Sequence, residues 1–110
     1  MSTEGRYLLV LSTCPDTVVA KQIANELVMQ GLAACVQIMP NIQSWFRWKG
    51  KVDSADEHLL LIKTATERYA ELEQRIISLH PYELPEIIAV PISTGFAGYF
   101  SWIDSNTKAS

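Results

Sequence analysis

Apolar positions change their period several times along the chain, and each change marks an element. Tyr7-Leu8-Leu9-Val10-Leu11 is an unbroken apolar run ended by Ser12, Thr13 and Pro15, the pattern of a strand buried on both faces and so placed mid-sheet. From Pro15 the spacing becomes helical: Val19, Ala20, Ile23, Ala24 and Leu27 share one stripe, Pro15 and Asp16 suit a first turn, and Gly31 a stop. Ala33 to Met39 reads as a second strand. After Pro40 a strand pattern resumes at Ile42 and runs through Phe46 to Trp48, and a proline inside a strand implies an edge or a bulge. Trp48-Lys49-Gly50-Lys51 is a turn, and Val52 to Thr64 a third strand. The capping-box spacing Thr64-x-x-Glu67 opens a second helix with Tyr69, Leu72, Ile76 and Leu79 on its stripe. Ile87 to Val90 gives a fourth strand, with Pro91 favouring an edge. Thr94 and Gly95 start a short final helix carrying Tyr99, Phe100, Trp102 and Ile103, ahead of a polar tail from Asp104.

The order β-α-β-β-α-β followed by a helix is the split βαβ pattern, an α+β ferredoxin-like sandwich over a single domain, residues 1–110. Right-handed crossovers place strands 1 and 3 centrally and strands 2 and 4 at the edges, where Pro40 and Pro91 fall. The hairpin of strands 2 and 3 is overlong. Arms of a dozen or more residues reach roughly 40 Å, whereas strands usually run five or six residues. Its outer half carries Trp45, Phe46 and Trp48, rings that two helices of this length cannot cover, so another subunit is expected to do so.

Composition narrows the classes. A chain of 110 residues and 12.3 kDa, 48% hydrophobic and 19% charged, is that of an ordinary globular domain. A net charge of −3 and a pI near 5.3 argue against nucleic acid, which is bound through phosphate neutralisation. Apolar blocks are interrupted at Ser12, Gln37 and Lys63, short of the roughly 20 residues of a membrane helix. Met1 to Gly5 lacks the basic-then-apolar order of a secretory leader, and the two cysteines lack C-x-x-C spacing; both predict a cytosolic protein with reduced thiols.

The densest chemistry is His80-Pro81-Tyr82-Glu83-Leu84-Pro85-Glu86, between the second helix and the fourth strand. Each proline fixes its own φ and drives the residue before it out of the helical region, which makes the loop stiff. Glu83 and Glu86 could form an acid/base pair with Tyr82 as donor, yet no nucleophile-base constellation is recognisable. Lys63 at the polar end of an apolar strand and Glu57 inside it need partners or a pocket, and with Tyr82 and Glu83 they form a candidate ligand pocket at a subunit junction, suited to a small anion. Cys14, before Pro15 at a helix N-terminus, is either a reactive or metal-binding thiolate or a small strand-end residue. Cys35 among alanines suits core packing. His58 and His80 are too few and too far apart to close a metal site within one chain, although Cys14 with His80 could hold a soft ion such as Cu(I). Trp45, Trp48 and Trp102 suit either a stacking surface or a protein interface.

Gly31-Leu32-Ala33-Ala34-Cys35-Val36, Trp48-Lys49-Gly50-Lys51, Glu57 with Leu61-Ile62-Lys63-Thr64, the loop from His80 to Glu86, and Tyr99-Phe100-Ser101-Trp102 together resemble the CutA family of divalent-cation tolerance proteins, in the family's order over nearly the whole chain. The resemblance implies a homotrimer similar in architecture to the PII signalling proteins; the length of the hairpin is what puts Trp45, Phe46 and Trp48 in the trimer interface. It also implies a link to copper and other divalent metal ions, with an activity that is not firmly defined; with no recognisable catalytic constellation, a binding or signalling protein rather than an enzyme is expected. Copper ligation in the family is associated with a cysteine at the end of strand 1 and a His-His pair before Pro-Tyr. Here those positions hold Ser12, with Cys14 two residues later, and Leu79, so only His80 carries over directly, and the expected metal residues are His80, Cys14 and Cys35. A hairpin aromatic that is often Tyr is Phe46. The alternative reading is an enzyme or small-anion binder using His80, Tyr82 and Glu83.

Overall fold

The computed structural model describes residues 2–107. In chain order the elements are β1 (Tyr7–Cys14), α1 (Thr17–Met29), β2 (Cys35–Trp48), β3 (Lys51–Ala65), a 3-10 turn (Thr66–Arg68), α2 (Tyr69–Leu79), β4 (Ile87–Pro91) and α3 (Ala97–Asn106). One antiparallel sheet runs β2-β3-β1-β4, so β1 and β3 are central and both strand prolines sit on edges, as the hydrophobic pattern predicts. β1 earns its central place by being apolar on both sides. Val10 and Cys14 are buried with Ala20, Ile23 and Leu27 of α1 and Leu72 and Ile76 of α2, whereas Tyr7 is buried with Phe100 and Ile103 of α3.

Local chemistry sets the helix ends. Asp16 is the N-cap of α1, its carboxylate accepting from the Val19 amide at 2.9 Å, and it therefore stands just outside the first turn. At the other end Gly31 takes φ +69°. Leu32 N–H then donates to Leu27 O at 3.0 Å and Gly31 N–H to Val28 O at 3.1 Å, a Schellman closure. The capping box expected at Thr64 does not form. Thr64 is still in the β3 ladder, opposite Leu8, and its hydroxyl is spent on Leu32 O at 2.7 Å, so α2 is entered through the 3-10 turn with no side-chain cap. The last helix likewise starts later than the sequence suggests, at Ala97 after Phe96, and continues through Asn106 rather than giving way to a tail at Asp104. Met1 and the end of that tail, residues 108–110, lie outside the described residues.

β2 and β3 are 14 and 15 residues long and stretch the molecule to 44 × 26 × 22 Å. Their pairing slips between Met39 and Ile42, where Pro40 can donate no hydrogen bond and Asn41 takes φ +61°. Lys49 and Gly50 close the ribbon with φ +51° and +80°, the positive-φ pair whose twist matches two antiparallel strands. α1 and α2 cover one face of the sheet. On the other, α3 covers only the Tyr7 end, with the Tyr7 and Phe100 rings stacked at 4.6 Å and the Tyr7 hydroxyl donating to Asp104 at 2.7 Å. The rest of that face leaves Met39, Ile88 and Val90 about half exposed.

Thr64→Val tests the link between β3 and the end of α1. It keeps the shape of the side chain but strands the Leu32 carbonyl in the core, which should cost about 1–3 kcal/mol. Urea unfolding at fixed protein concentration should show a lower midpoint at unchanged slope; an unchanged midpoint would mean the bond contributes nothing.

Candidate functional site

α2 ends where Pro81 forbids its continuation, and His80 turns extended at φ −82°, ψ 134°. Its buried ring lies between two backbone groups, with Nε2 at 2.7 Å from Thr13 O and Nδ1 at 3.2 Å from the Tyr82 amide nitrogen. A carbonyl can only accept and an amide N–H can only donate, so Nε2 carries the proton and Nδ1 accepts. His80 thereby ties the loop to the end of β1. The Tyr82 ring packs against it at 4.7 Å, and the phenol reaches β3, donating to Glu57 Oε2 at 2.8 Å.

Glu57 sits opposite Ile42, just past the slip in the ribbon, and is only 6% exposed. Among the described residues no cation stands within ion-pair distance of it; the salt bridges found are Arg68–Glu71 and Arg75–Glu26, both on the helices' side of the molecule. Burial and the hydrogen bond to Glu57 push the Tyr82 phenol well above its ordinary range, so it stays a donor. Above this pair opens a cavity of about 610 Å³. Trp45, Phe46, Arg47 and Trp48 of the ribbon form one side, Glu83, Leu84 and Glu86 of the loop the other, and Thr13 and Ser44 complete the lining. Three carboxylates against one guanidinium leave it rich in acceptors and short of positive charge.

Of the residues expected in a junction pocket, Glu57, Tyr82 and Glu83 come together within one chain, and Lys63 of the same chain lies apart from them. Lys63 lies further along β3 than Glu57 by roughly 20 Å at the rise of a strand. There its amine donates to Gln37 at 2.8 Å and sits 5.7 Å over the Tyr99 ring. Cys35 pairs with Lys63 across the strands and is half-buried beside Tyr99, outside the main core. Burial, with Cys35 adding to it, raises the Tyr99 phenol. Trp102 packs on Tyr99 at 5.4 Å and takes no part in the cavity, so the three tryptophans form no common surface. Thr13 and Ser44 were not singled out from sequence. For Thr13 the signal is its alternation with Cys14, which turns it away from the helices.

The metal expectation fares poorly within one chain. Cys14 is fully buried, and desolvation, helped by the Glu57 and Asp16 carboxylates, pushes its thiol up to about 11; the thiolate that a helix N-terminus would favour is outweighed. Both ring nitrogens of His80 are engaged, and His58, opposite Cys14, lies 3.5 Å from the Thr17 hydroxyl. No three His, Cys, Asp or Glu side chains converge among the described residues. These residues do not fit a Cys-His copper centre.

The ferredoxin-like sheet with its overlong hairpin superposes on solved proteins over nearly the whole chain. The chain belongs to the CutA1 divalent ion tolerance protein family, whose model matches residues 8–106. It is 46% identical to the divalent-cation tolerance protein CutA of Thermus thermophilus over 90% of this chain and 96% of that protein. To the chloroplastic CutA of Arabidopsis thaliana it is 40% identical over 92% of this chain but only 56% of the relative, and it spans about three fifths of the mouse CutA, 59%. Among solved structures, CutA1 from Shewanella sp. SIB1 superposes with a TM-score of 0.93 at 41% identity, over 97% of this chain and 100% of that one. The periplasmic CutA of Archaeoglobus fulgidus gives 0.90 at 36% identity, over 93% and 99%.

The desolvated phenols and thiol predict an alkaline limit to stability. The folded state raises Tyr7, Tyr69, Tyr82 and Tyr99 above the ordinary 10.0 and Cys14 above 9.0. Native protein therefore holds protons that unfolded chain has released. The stabilisation is complete below those ordinary values and is lost as pH rises through the raised ones. Unfolding free energy should fall from about pH 9 upward, less steeply in Tyr82→Phe, which at neutral pH should itself cost about 1–3 kcal/mol. Urea titrations between pH 8 and 11 check both; a flat profile would contradict the burial argument.

Proposed function

We propose that this chain is a homotrimeric binding and signalling protein of the divalent-ion tolerance type, with the cavity over Glu57 and Tyr82 as its ligand site at a subunit junction. One observation carries the reading. Trp45, Phe46 and Trp48 wall the cavity while remaining 67%, 40% and 42% exposed, too much aromatic surface on a two-stranded ribbon to stand in water alone. A second copy is the natural cover, because the edges of β2 and β4 are open for strand pairing and a head-to-tail contact must close into a ring or grow into a fibre. The PII-like likeness sets the ring at three. Relatives named for divalent-cation tolerance support an ion-linked role for the assembly.

Cytoplasmic residence belongs to the same reading and is supported by two free cysteines, with no helix among the described residues long and apolar enough to cross a membrane. An enzyme or small-anion binder built on His80, Tyr82 and Glu83 draws no support from the geometry. The imidazole is engaged on both nitrogens, the phenol is held protonated, and the carboxylates would repel an anion.

Light scattering at micromolar concentration should give a trimer for the wild type and a monomer for the double substitution Phe46→Asp, Trp48→Asp. A monomeric wild type would refute the assembly, and a trimeric double variant would remove the ribbon from it.

A further inference from the structure

We propose that the loop from Pro81 to Glu86 is a proton-operated latch: a proton taken up by His80 breaks its hold on the Tyr82 amide, frees the loop from β1 and withdraws the Tyr82 hydroxyl from Glu57. The bearing of the latch on a ligand rests on reading the cavity over Glu57 as the ligand site; the latch itself does not. Its atoms belong to one chain. The His80 ring is buried, with Nε2 2.7 Å from Thr13 O and Nδ1 3.2 Å from the Tyr82 nitrogen. A second copy can add contacts around this corner, but both partners of the ring are the chain's own backbone groups.

An imidazole fits between a carbonyl and an amide only while it is neutral. Once protonated it carries donors on both nitrogens, and the one on Nδ1 faces the Tyr82 N–H across 3.2 Å, a donor against a donor. A buried N–H without an acceptor is costly, and there would be two. Release satisfies both, because water takes the place of the lost partners. Within the chain little opposes it. Between Pro81 and Pro85 the described residues form no backbone–backbone hydrogen bond, and the side-chain bond that remains is that of the Tyr82 hydroxyl to Glu57. The titratable groups at this corner are Cys14 on β1, Asp16 at the start of α1, Glu57 and His58 on β3, and Tyr82, Glu83 and Glu86 in the loop; the last turn of α2 supplies none. Asp16 and Glu57 already accept from the Val19 amide and the Tyr82 hydroxyl, and burial keeps the Cys14 thiol and the Tyr82 phenol protonated. The place beside Nδ1 is held by the Tyr82 amide rather than by a carboxylate.

In the released loop the ring is in water, where an imidazole takes up its proton at about pH 6.5. Release therefore becomes easier by up to about tenfold for each pH unit below that value. Amide hydrogen exchange of Tyr82, followed by NMR on the full-length protein from pH 7.5 to 4.5 and corrected for the intrinsic exchange rate, measures it. Protection of Tyr82 should fall about tenfold or more over that range, in step with protonation of His80 Nδ1 read from its nitrogen shift, while the Leu32 amide in the closure of α1 keeps its protection. His80→Asn places an acceptor oxygen where Nδ1 stood, able to take the Tyr82 N–H in an Asx turn but unable to titrate, and should leave the protection flat. Unchanged protection in the wild type would overturn the latch. So would a fall that His80→Asn shares, which assigns it to a carboxylate, or one that Leu32 shares, which marks global opening. A fall out of step with the Nδ1 shift overturns it even if the variant does not fold, as does one confined to conditions where sedimentation shows the assembly dissociating. None of these outcomes turns on whether the cavity binds a ligand.

Discussion

The His80 ring, held between the Thr13 carbonyl and the Tyr82 amide, is the brace on which the site depends. A loop containing two prolines is stiff but not thereby aimed. The imidazole supplies the aim, because its two nitrogens face groups of opposite polarity and only one protonation pattern satisfies both. With β1 and the loop so joined, Tyr82 is delivered across the end of the sheet to Glu57, and the carboxylate can be buried because a donor is waiting for it. Within the chain, the histidine that resembles a metal ligand in sequence holds two backbone groups and so helps to position Glu57.

A second constraint is the length of the β2–β3 ribbon. The core built from α1, α2 and the four strands is complete without the ribbon's outer half, which follows the register slip at Pro40 and Asn41. The slip also sets the alternation beyond it. Ile42 stands opposite Glu57, Ser44 opposite Ala55 and Phe46 opposite Asp53, so Ser44 and Phe46 share a face with the buried carboxylate. One irregularity in an edge strand therefore does two things: it bends the ribbon, and it fixes which side chains meet above Glu57.

Much of this fold is legible in the sequence because it rests on period. The apolar run from Tyr7, the helical stripes, and prolines confined to edges determine the sheet order without reference to any contact. What was not legible depends on competition between partners. Thr64 satisfies a capping-box spacing, but the Leu32 carbonyl, half a domain away, takes its hydroxyl first. Cys14 has the setting of an activated thiol, but the side chains that desolvate it come from α1 and α2. Lys63 and Glu57 both call for partners, and within one chain their separation along the strand keeps them apart, with Lys63 on Gln37 and over Tyr99. Glu57, Tyr82 and Glu83 were singled out as charged or polar groups at apolar or rigid positions, and they line one cavity.

Nitrogen NMR of the two ring nitrogens of His80, recorded without metal and with added Cu(I) or Zn(II), tests most directly whether the site is braced by this histidine rather than by an ion. The account predicts a protonated Nε2 and an unprotonated, hydrogen-bonded Nδ1, both unmoved by metal. A metal-dependent shift of either nitrogen, or the opposite tautomer, would contradict it.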